Sequence, residues 1–172
     1  MICSAIELKV EKAALWEDYS VVCKAKLVEK LGEGSCFGIF FRASPFGEAQ
    51  SDYLVYVDFD TRKVIFGETS QNNPRKILEV PLPFDISKDT WYKLEVIAEG
   101  EHFEFYINDE LIGSFDDDSY PSGGIQLGVT NTHVHFDDVV ITGPEIPDGG
   151  PGFAVTPQSK LATMWGEIKH SR

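Results

Sequence analysis

Basic residues are scarce in this 172-residue chain, where 15 Lys and Arg stand against 28 Asp and Glu and give a formal net charge of −13. Such a field repels phosphate backbones and anionic lipid headgroups, so we do not expect nucleic acid as a partner. Long apolar runs are also missing, because none approaches the roughly 20 residues of a membrane span. The N-terminal Met-Ile-Cys-Ser has no basic stretch followed by an apolar one. The chain as given therefore predicts no membrane span and no signal peptide, although it could be the mature part of an exported protein.

Cysteine is limited to Cys3, Cys23 and Cys36, which cannot all pair within one chain. None of them shows the C-x-x-C spacing that is typical of zinc or redox sites. Cys23 falls on an apolar-facing position of a strand pattern, which favours a small buried hydrophobe. A disulfide between Cys3 and Cys36 is possible, but no further feature of the sequence supports it.

The dominant pattern is instead a period of two. Apolar side chains occupy every second position of 6–11, as expected for a strand with one face in a core and one in water. The same alternation recurs at 19–27, 37–42, 53–59, 91–98, 103–108 and 125–130. Turn residues separate these runs at intervals of about ten residues, which is typical of an antiparallel sandwich. We therefore predict an all-β domain over 1–143, with ten or eleven strands in a two-sheet antiparallel jelly roll.

A different composition follows this domain. Segment 144–155 is rich in Pro and Gly and predicts a linker. Segment 156–172 places its large apolar residues at i, i+3, i+4 and i+7, which predicts a short amphipathic helical tail: Leu161, Met164, Trp165 and Ile168. Three alternatives stay open for this tail: it packs on its own sandwich, it binds a protein partner through Trp165, or it is disordered.

Seven short segments occur in an informative order. They are Trp-Glu-Asp-Tyr-Ser-Val at 16–21, Gly-Ile-Phe-Phe-Arg at 38–42, Tyr-Leu-Val-Tyr at 53–56, Trp-Tyr-Lys-Leu-Glu-Val at 91–96, Phe-Tyr-Ile-Asn-Asp at 105–109, Ser-Gly-Gly-Ile-Gln-Leu at 122–127 and Phe-Asp-Asp-Val-Val-Ile at 136–141. With them, residues 5–143 resemble the concanavalin A-like lectin/glucanase superfamily, in particular its laminin G-like modules and 3-keto-disaccharide hydrolase domains. The resemblance implies a concave sheet that carries any carbohydrate site, and an extracellular or cell-surface location.

The alternation also predicts a recognition surface. If alternate residues from Phe37 and from Tyr53 onward face the core, two neighbouring strands leave these side chains outside: Phe40, Arg42, Tyr56 and Asp58. Aromatic rings stack on the C–H faces of sugars, and charged groups hydrogen-bond strongly to hydroxyls. Other outward residues could extend the surface on a sheet that the sequence does not identify: Trp91, Tyr106, Gln126 and Thr130. The alternative is an ordinary Arg–Asp cross-strand pair beside a surface aromatic.

Catalytic patterns are weak. The Glu-x-Asp-x-Glu pattern of retaining glucanases is missing, and Asp60, which follows Asp58 on the same face, falls at a predicted turn. The acidic run 116–118 favours a solvated loop, with calcium binding as the alternative. No Gly-x-Ser-x-Gly elbow occurs. We therefore expect a non-catalytic module that binds a neutral or basic glycan. A glycoside hydrolase of the 3-keto-disaccharide type and a laminin G-like protein-interaction module are the alternatives.

His133 and His135 share one face of a predicted strand at i and i+2. The pair could bind zinc, with Asp137 as the nearest further ligand. A plain exposed strand face is the alternative.

The superfamily resemblance further implies a structural calcium ion at the sandwich edge. Its ligands would be an acid in the closing strand, backbone carbonyls and a carboxylate from the first strand. Asp137 or Asp138 matches the first acid, and Glu7 or Glu11 could supply the other. A solvated edge whose charges discourage strand pairing is the alternative.

Overall fold

The computed structural model describes residues 3–7, 13–45, 49–144 and 146. In chain order these residues form β1 (Cys3–Glu7), a 3-10 turn (Ala13–Leu15), β2 (Tyr19–Lys30), β3 (Cys36–Ala43), β4 (Asp52–Asp58), β5 (Lys63–Ser70), β6 (Asn73–Pro81), β7 (Trp91–Glu99), β8 (His102–Ile107), β9 (Glu110–Asp116), β10 (Gly124–Thr130) and β11 (Thr132–Thr142). Across these ranges no helix is long and apolar enough to cross a membrane. The predicted all-β character is confirmed, whereas the predicted tail at 156–172 and most of the linker lie outside the described residues.

The strands form two antiparallel sheets. Six strands pair in the order β1-β10-β3-β4-β5-β6, and five pair in the order β11-β2-β7-β8-β9. Some strands that are adjacent in space, such as β10 and β3 or β11 and β2, are far apart in the chain, because the chain crosses between the sheets. This crossover topology is that of a jelly-roll sandwich rather than a simple meander. The predicted two-sheet sandwich is confirmed.

The core lies between the two sheets and follows the predicted alternation. Cys23 of β2 is fully buried as predicted, whereas its neighbour Lys24 is exposed. The centre is aromatic, with the Tyr53 ring 5.5 Å from Phe41 and 4.7 Å from Phe103 between ring centres. The five side chains on which the predicted outer surface depends are all buried: Phe37, Ile39, Phe41, Val55 and Val57.

The pairing register excludes the disulfide considered between Cys3 and Cys36. Thr130 of β10 lies between them and pairs with Cys3 on one side and with Cys36 on the other. Two strand spacings separate the Cys3 and Cys36 backbones by about 9.5 Å. Disulfide-bonded Cα atoms lie within about 7 Å of each other, so this pairing is out of reach.

Strand β3 breaks its alternation at Arg42. Arg42 has a φ of 47°, and its side chain is buried together with that of its neighbour Phe41. The register with β10 shifts at the same place, between the partners of Gly124 and Gln126. A bulge of this kind turns the next side chain to the opposite face, which a strict period of two does not anticipate. The prediction that Arg42 lies on the outer face is therefore wrong.

Candidate functional site

The outer face of the six-stranded sheet carries a groove of about 400 Å³ over β10, β3 and β4. Its principal lining residues are Gly38, Phe40, Leu54, Tyr56, Asp58 and Thr130. Small-molecule sites in proteins occupy about 300–1,000 Å³ and are mostly apolar with a few polar groups, and this groove matches that description. The structure therefore brings together three of the predicted site residues, Phe40, Tyr56 and Asp58.

Two paired glycines form the floor of the groove. A Cβ atom at Gly128 would lie 2.4 Å from Cε2 of Phe40, so the Phe40 ring lies directly over Gly128. A Cβ atom at Gly38 would lie 2.1 Å from the Val55 carbonyl oxygen and 2.6 Å from Cβ of Tyr56. Glycine is thus required for the close approach of β3 to β4. The rings of Phe40 and Tyr56 remain partly exposed, as stacking on the apolar face of a sugar requires.

The groove offers uncharged donors rather than cations. Burial first, and then the negative charge of Asp58, raise the pKa of the Tyr56 phenol, so its hydroxyl stays protonated at physiological pH. The Thr130 hydroxyl and the Cys36 thiol also belong to residues that line the groove. None of the described lining residues is Lys or Arg. This composition suits hydroxyl groups better than carboxylate or sulfate groups.

The carboxylates at one end of the groove stabilise turns. Asp58 accepts hydrogen bonds from the backbone N–H groups of Asp60 and Thr61 at 2.9 and 3.0 Å. Asp60 accepts one from Lys30 Nζ at 3.1 Å and one from the Gly34 N–H at 2.6 Å, and these bonds lower its pKa. Both carboxylates therefore hold the β4–β5 turn and its contact with the β2–β3 loop.

A buried polar cluster borders the groove at its other end. Gln126, the cross-strand partner of Phe40, is 2% exposed and donates to the Ser44 carbonyl at 3.2 Å. Gln50 Nε2 donates to Asp52 and lies 3.4 Å from Gln126 Oε1. Asp52 is fully buried, its Oδ1 has no hydrogen-bond partner among the described residues, and burial raises its pKa to about 6. Gln126 thus lies on the predicted outer face but is covered by neighbouring residues such as Gln50. Sequence reasoning missed Asp52, because an outward position in a strand predicts an exposed side chain.

Trp91 and Tyr106 lie on the opposite side of the molecule, on the outer face of the five-stranded sheet. Trp91 is 40% exposed, and the Lys26 ammonium lies 4.8 Å from the centre of its ring. The Tyr106 hydroxyl donates to Glu104 Oε2 at 2.7 Å. The expectation that these two aromatic residues extend the groove is wrong, because the crossovers place β7 and β8 in the other sheet.

Arg42 does not line the groove but joins three loops inside one end of the sandwich. Its guanidinium donates to the carbonyl oxygens of Glu17, Gly100 and Tyr120 at 3.0, 2.7 and 3.0 Å. The same group lies 4.8 Å from the centre of the Phe103 ring. The predicted surface pair between Arg42 and Asp58 is therefore not formed.

One of the predicted calcium ligands, Asp138, forms an ion pair with Lys24. The Asp138 carboxylate lies 2.6 Å from Lys24 Nζ, and Asp137 accepts the N–H of Asp138 at 2.8 Å. The side chain of Glu7 and all of Glu11 lie outside what the structure describes. The pair between Lys24 and Asp138 is exposed, and exposed pairs contribute little to stability. In the described ranges no three His, Cys, Asp or Glu side chains cluster as metal ligands, and calcium binding stays a prediction.

In the acidic run 116–118, Asp116 and Asp118 are exposed as predicted, whereas Asp117 is partly buried. Asp116 Oδ1 lies 2.6 Å from Nδ1 of His102, and Asp117 Oδ1 accepts the Tyr53 hydroxyl at 2.6 Å. These bonds attach the start of the β9–β10 loop to β8 and β4.

No protein-family model matches this chain, and no curated protein matches it in sequence. Solved structures do. The carbohydrate binding module CBM66 from Bacillus subtilis matches with a TM-score of 0.64 at 24% identity, over 73% of this chain and 75% of that one. Galectin LEC-6 of Caenorhabditis elegans matches with a TM-score of 0.56 at 18% identity, over 81% and 91%. A β-glucanase of Bacillus licheniformis matches with a TM-score of 0.55 at 14% identity, over 72% and 65%. This chain therefore shares the two-sheet sandwich fold of these three solved structures.

Proposed function

We propose that this chain is a carbohydrate-binding module that holds a neutral or basic glycan in the groove of the six-stranded sheet. The observation that carries the proposal is the groove of about 400 Å³, whose floor is Gly38 and Gly128 and whose walls include the rings of Phe40 and Tyr56. Partly exposed rings beside hydroxyl donors provide stacking and hydrogen bonds for the same ligand. A carbohydrate binding module and a galectin among the solved structures of this fold support the proposal.

The negative charge of the chain and the lining of the groove together limit which class of glycan can bind. The chain carries a formal net charge of −13, and no Lys or Arg lines the described part of the groove. An anionic glycan would enter a negative field without a cation to pair with its carboxylates or sulfates. We therefore propose a neutral glycan, or a basic one, displayed at the cell surface or outside the cell.

We propose binding without hydrolysis. A retaining glycosidase needs two carboxylates about 5–5.5 Å apart that are available to the scissile bond. Asp58 and Asp60, the acids beside the groove, each hold two hydrogen-bond donors of the surrounding turns and loops. Cleavage of a neutral, basic or anionic oligosaccharide by this chain, with loss of turnover in Asp58→Asn, would favour the hydrolase alternative instead.

The decisive experiment is binding to a panel of neutral, basic and anionic oligosaccharides, followed by calorimetry on the best ligand with calcium or with EDTA. Tyr56→Ala removes a stacking ring and a hydroxyl, worth together about 1.5–3 kcal/mol, and we expect about tenfold to 100-fold weaker binding. Tyr106→Ala is the matched control, because it removes the same side chain from the outer face of the other sheet. Equal losses in both variants, or none in Tyr56→Ala, would contradict the proposal.

A footprint of the groove gives a second readout. Cys36 lines the groove and is partly exposed, whereas Cys23 is buried and burial raises its pKa to about 12. In a Cys3→Ser background we expect a maleimide to label Cys36, and saturating glycan to slow that labelling. Labelling that proceeds at the same rate with bound glycan would place the ligand elsewhere.

A further inference from the structure

His133 and His135 form a pair on the outer face of β11, which is an edge strand of the five-stranded sheet. Their ring centres are 5.1 Å apart and their planes are inclined by 72°. Both side chains are exposed, and no described residue forms a hydrogen bond with either ring. Both imidazoles are therefore accessible to a ligand from solvent.

We propose that this pair binds a divalent first-row transition metal ion, with Zn²⁺ as the representative. With a Zn–N distance of about 2.0–2.1 Å and a ring radius of about 1.2 Å, two imidazoles on a tetrahedral ion have ring centres about 5.2 Å apart. The observed separation of 5.1 Å matches that value. Imidazole nitrogen is a good ligand for Zn²⁺, Cu²⁺ and Ni²⁺, and water completes the coordination.

The surroundings leave room for a cation. Lys26 is the cross-strand partner of His135, but its ammonium lies 4.8 Å from the centre of the Trp91 ring and so is directed toward β7. Glu29, the partner of His133, is exposed and contributes negative charge on the adjoining strand. The net charge of −13 further raises the local concentration of divalent cations.

The chain is well suited to a direct test, because it has only four histidines. We would titrate the reduced full chain with Zn²⁺ and follow the imidazole protons by NMR and the heat by calorimetry. We expect selective shifts of the His133 and His135 resonances, and about tenfold weaker binding in His133→Gln and in His135→Gln. Both side chains are exposed, so the melting temperature of the metal-free variants should stay close to that of the parent.

Three controls decide the outcome. His102→Gln removes an exposed histidine that is bonded to Asp116, and His170→Gln removes the one in the C-terminal tail. These two variants and Cys36→Ser should bind Zn²⁺ as the parent does. Binding that survives loss of both His133 and His135, that depends on one of the control residues, or that is missing at millimolar Zn²⁺ would overturn the proposal. The groove lies on the other sheet, so failure here leaves the proposed glycan binding unaffected.

Discussion

Arg42→Ala removes a buried cation that bridges three loops. The guanidinium donates to carbonyl oxygens at Glu17, Gly100 and Tyr120, which precede β2, connect β7 to β8 and connect β9 to β10. Its side chain is only 2% exposed, and its ion pair with Asp18 is long at 3.9 Å. Alanine would leave three carbonyl oxygens without this donor and would open a void beside Phe103.

The magnitude follows from these contacts. Hydrogen bonds to a charged group contribute about 1.5–3 kcal/mol each, and a desolvated cation–π contact contributes about 2 kcal/mol. The desolvation of the guanidinium, several kcal/mol, offsets much of that sum. Breaking such a buried charged network has a net cost of about 3–5 kcal/mol, and we expect Arg42→Ala to lower the free energy of unfolding by this amount. A domain with a total stability of about 5–15 kcal/mol would keep its fold but lose a large part of its margin.

Chemical denaturation followed by tryptophan fluorescence measures the change, because Trp16 is buried beside Tyr19 and the Tyr19 hydroxyl accepts the Arg42 N–H at 2.6 Å. Arg42→Lys should recover little, since an ammonium cannot span three carbonyls as a guanidinium does. Arg42→Gly is the matched control for backbone strain, because glycine adopts the φ of 47° at this position without a steric cost. We expect this variant to be about 1 kcal/mol more stable than Arg42→Ala.

Two results would refute this reasoning. A loss of less than about 1 kcal/mol in Arg42→Ala would mean that the buried guanidinium contributes no more than a surface charge. The structure places no part of Arg42 in the groove. A folded Arg42→Ala variant that loses its glycan affinity would therefore show that Arg42 contacts the ligand after all.

Two further predictions concern the face that carries the groove. Burial raises the pKa of Asp52 from 3.8 to about 6, so the folded state binds this proton more tightly than the unfolded state does. Stability from this group is therefore complete below about pH 4 and falls by up to about 3 kcal/mol as the pH rises through 6. Asp52→Asn should flatten that part of the stability profile measured by urea titration, and an unchanged slope would contradict the assignment. Gly38→Ala forces a Cβ to within 2.1 Å of a backbone oxygen and should cost about 3 kcal/mol or more, whereas Gly128→Ala meets only the movable end of Phe40 and should cost about 1 kcal/mol. Equal thermal stability of the two glycine variants would show that the floor of the groove is not packed as described.

The sequence predicted which face of each strand is buried better than it predicted which strands are neighbours in a sheet. Burial of Phe37, Ile39 and Val55 follows from a period of two, which is a local property of each strand. The sheet to which a strand belongs depends on the crossovers, so nothing local could show that Tyr56 and Tyr106 point to opposite sides of the molecule.

The site was predictable only in part for the same reason. Phe40, Tyr56 and Asp58 were identified because β3 and β4 form a hairpin that alternation describes well. Arg42 was misplaced because one residue with a positive φ reverses its side chain. The burial of Asp52 depends on side chains that cover it, such as Gln50 from the loop just before β4 and Gln126 from β10. Bulges and covering segments act at single positions, so periodicity averaged over a strand cannot detect them.

The groove differs from the charged parts of the outer faces in a way that supports its choice as the ligand site. On the five-stranded sheet, opposite charges pair across strands, as when Lys24 of β2 lies 2.6 Å from Asp138 of β11. Exposed pairs of this kind contribute only about 0–1 kcal/mol each, so their main effect is to keep the face hydrated. The groove of the six-stranded sheet instead presents Phe40, Leu54 and Tyr56 to solvent without a lining cation among the described residues. A ligand that covers this apolar lining removes it from water, which is favourable. A glycan with an apolar face and uncharged hydroxyls can stack on the exposed rings and also hydrogen-bond to the polar groups of the groove.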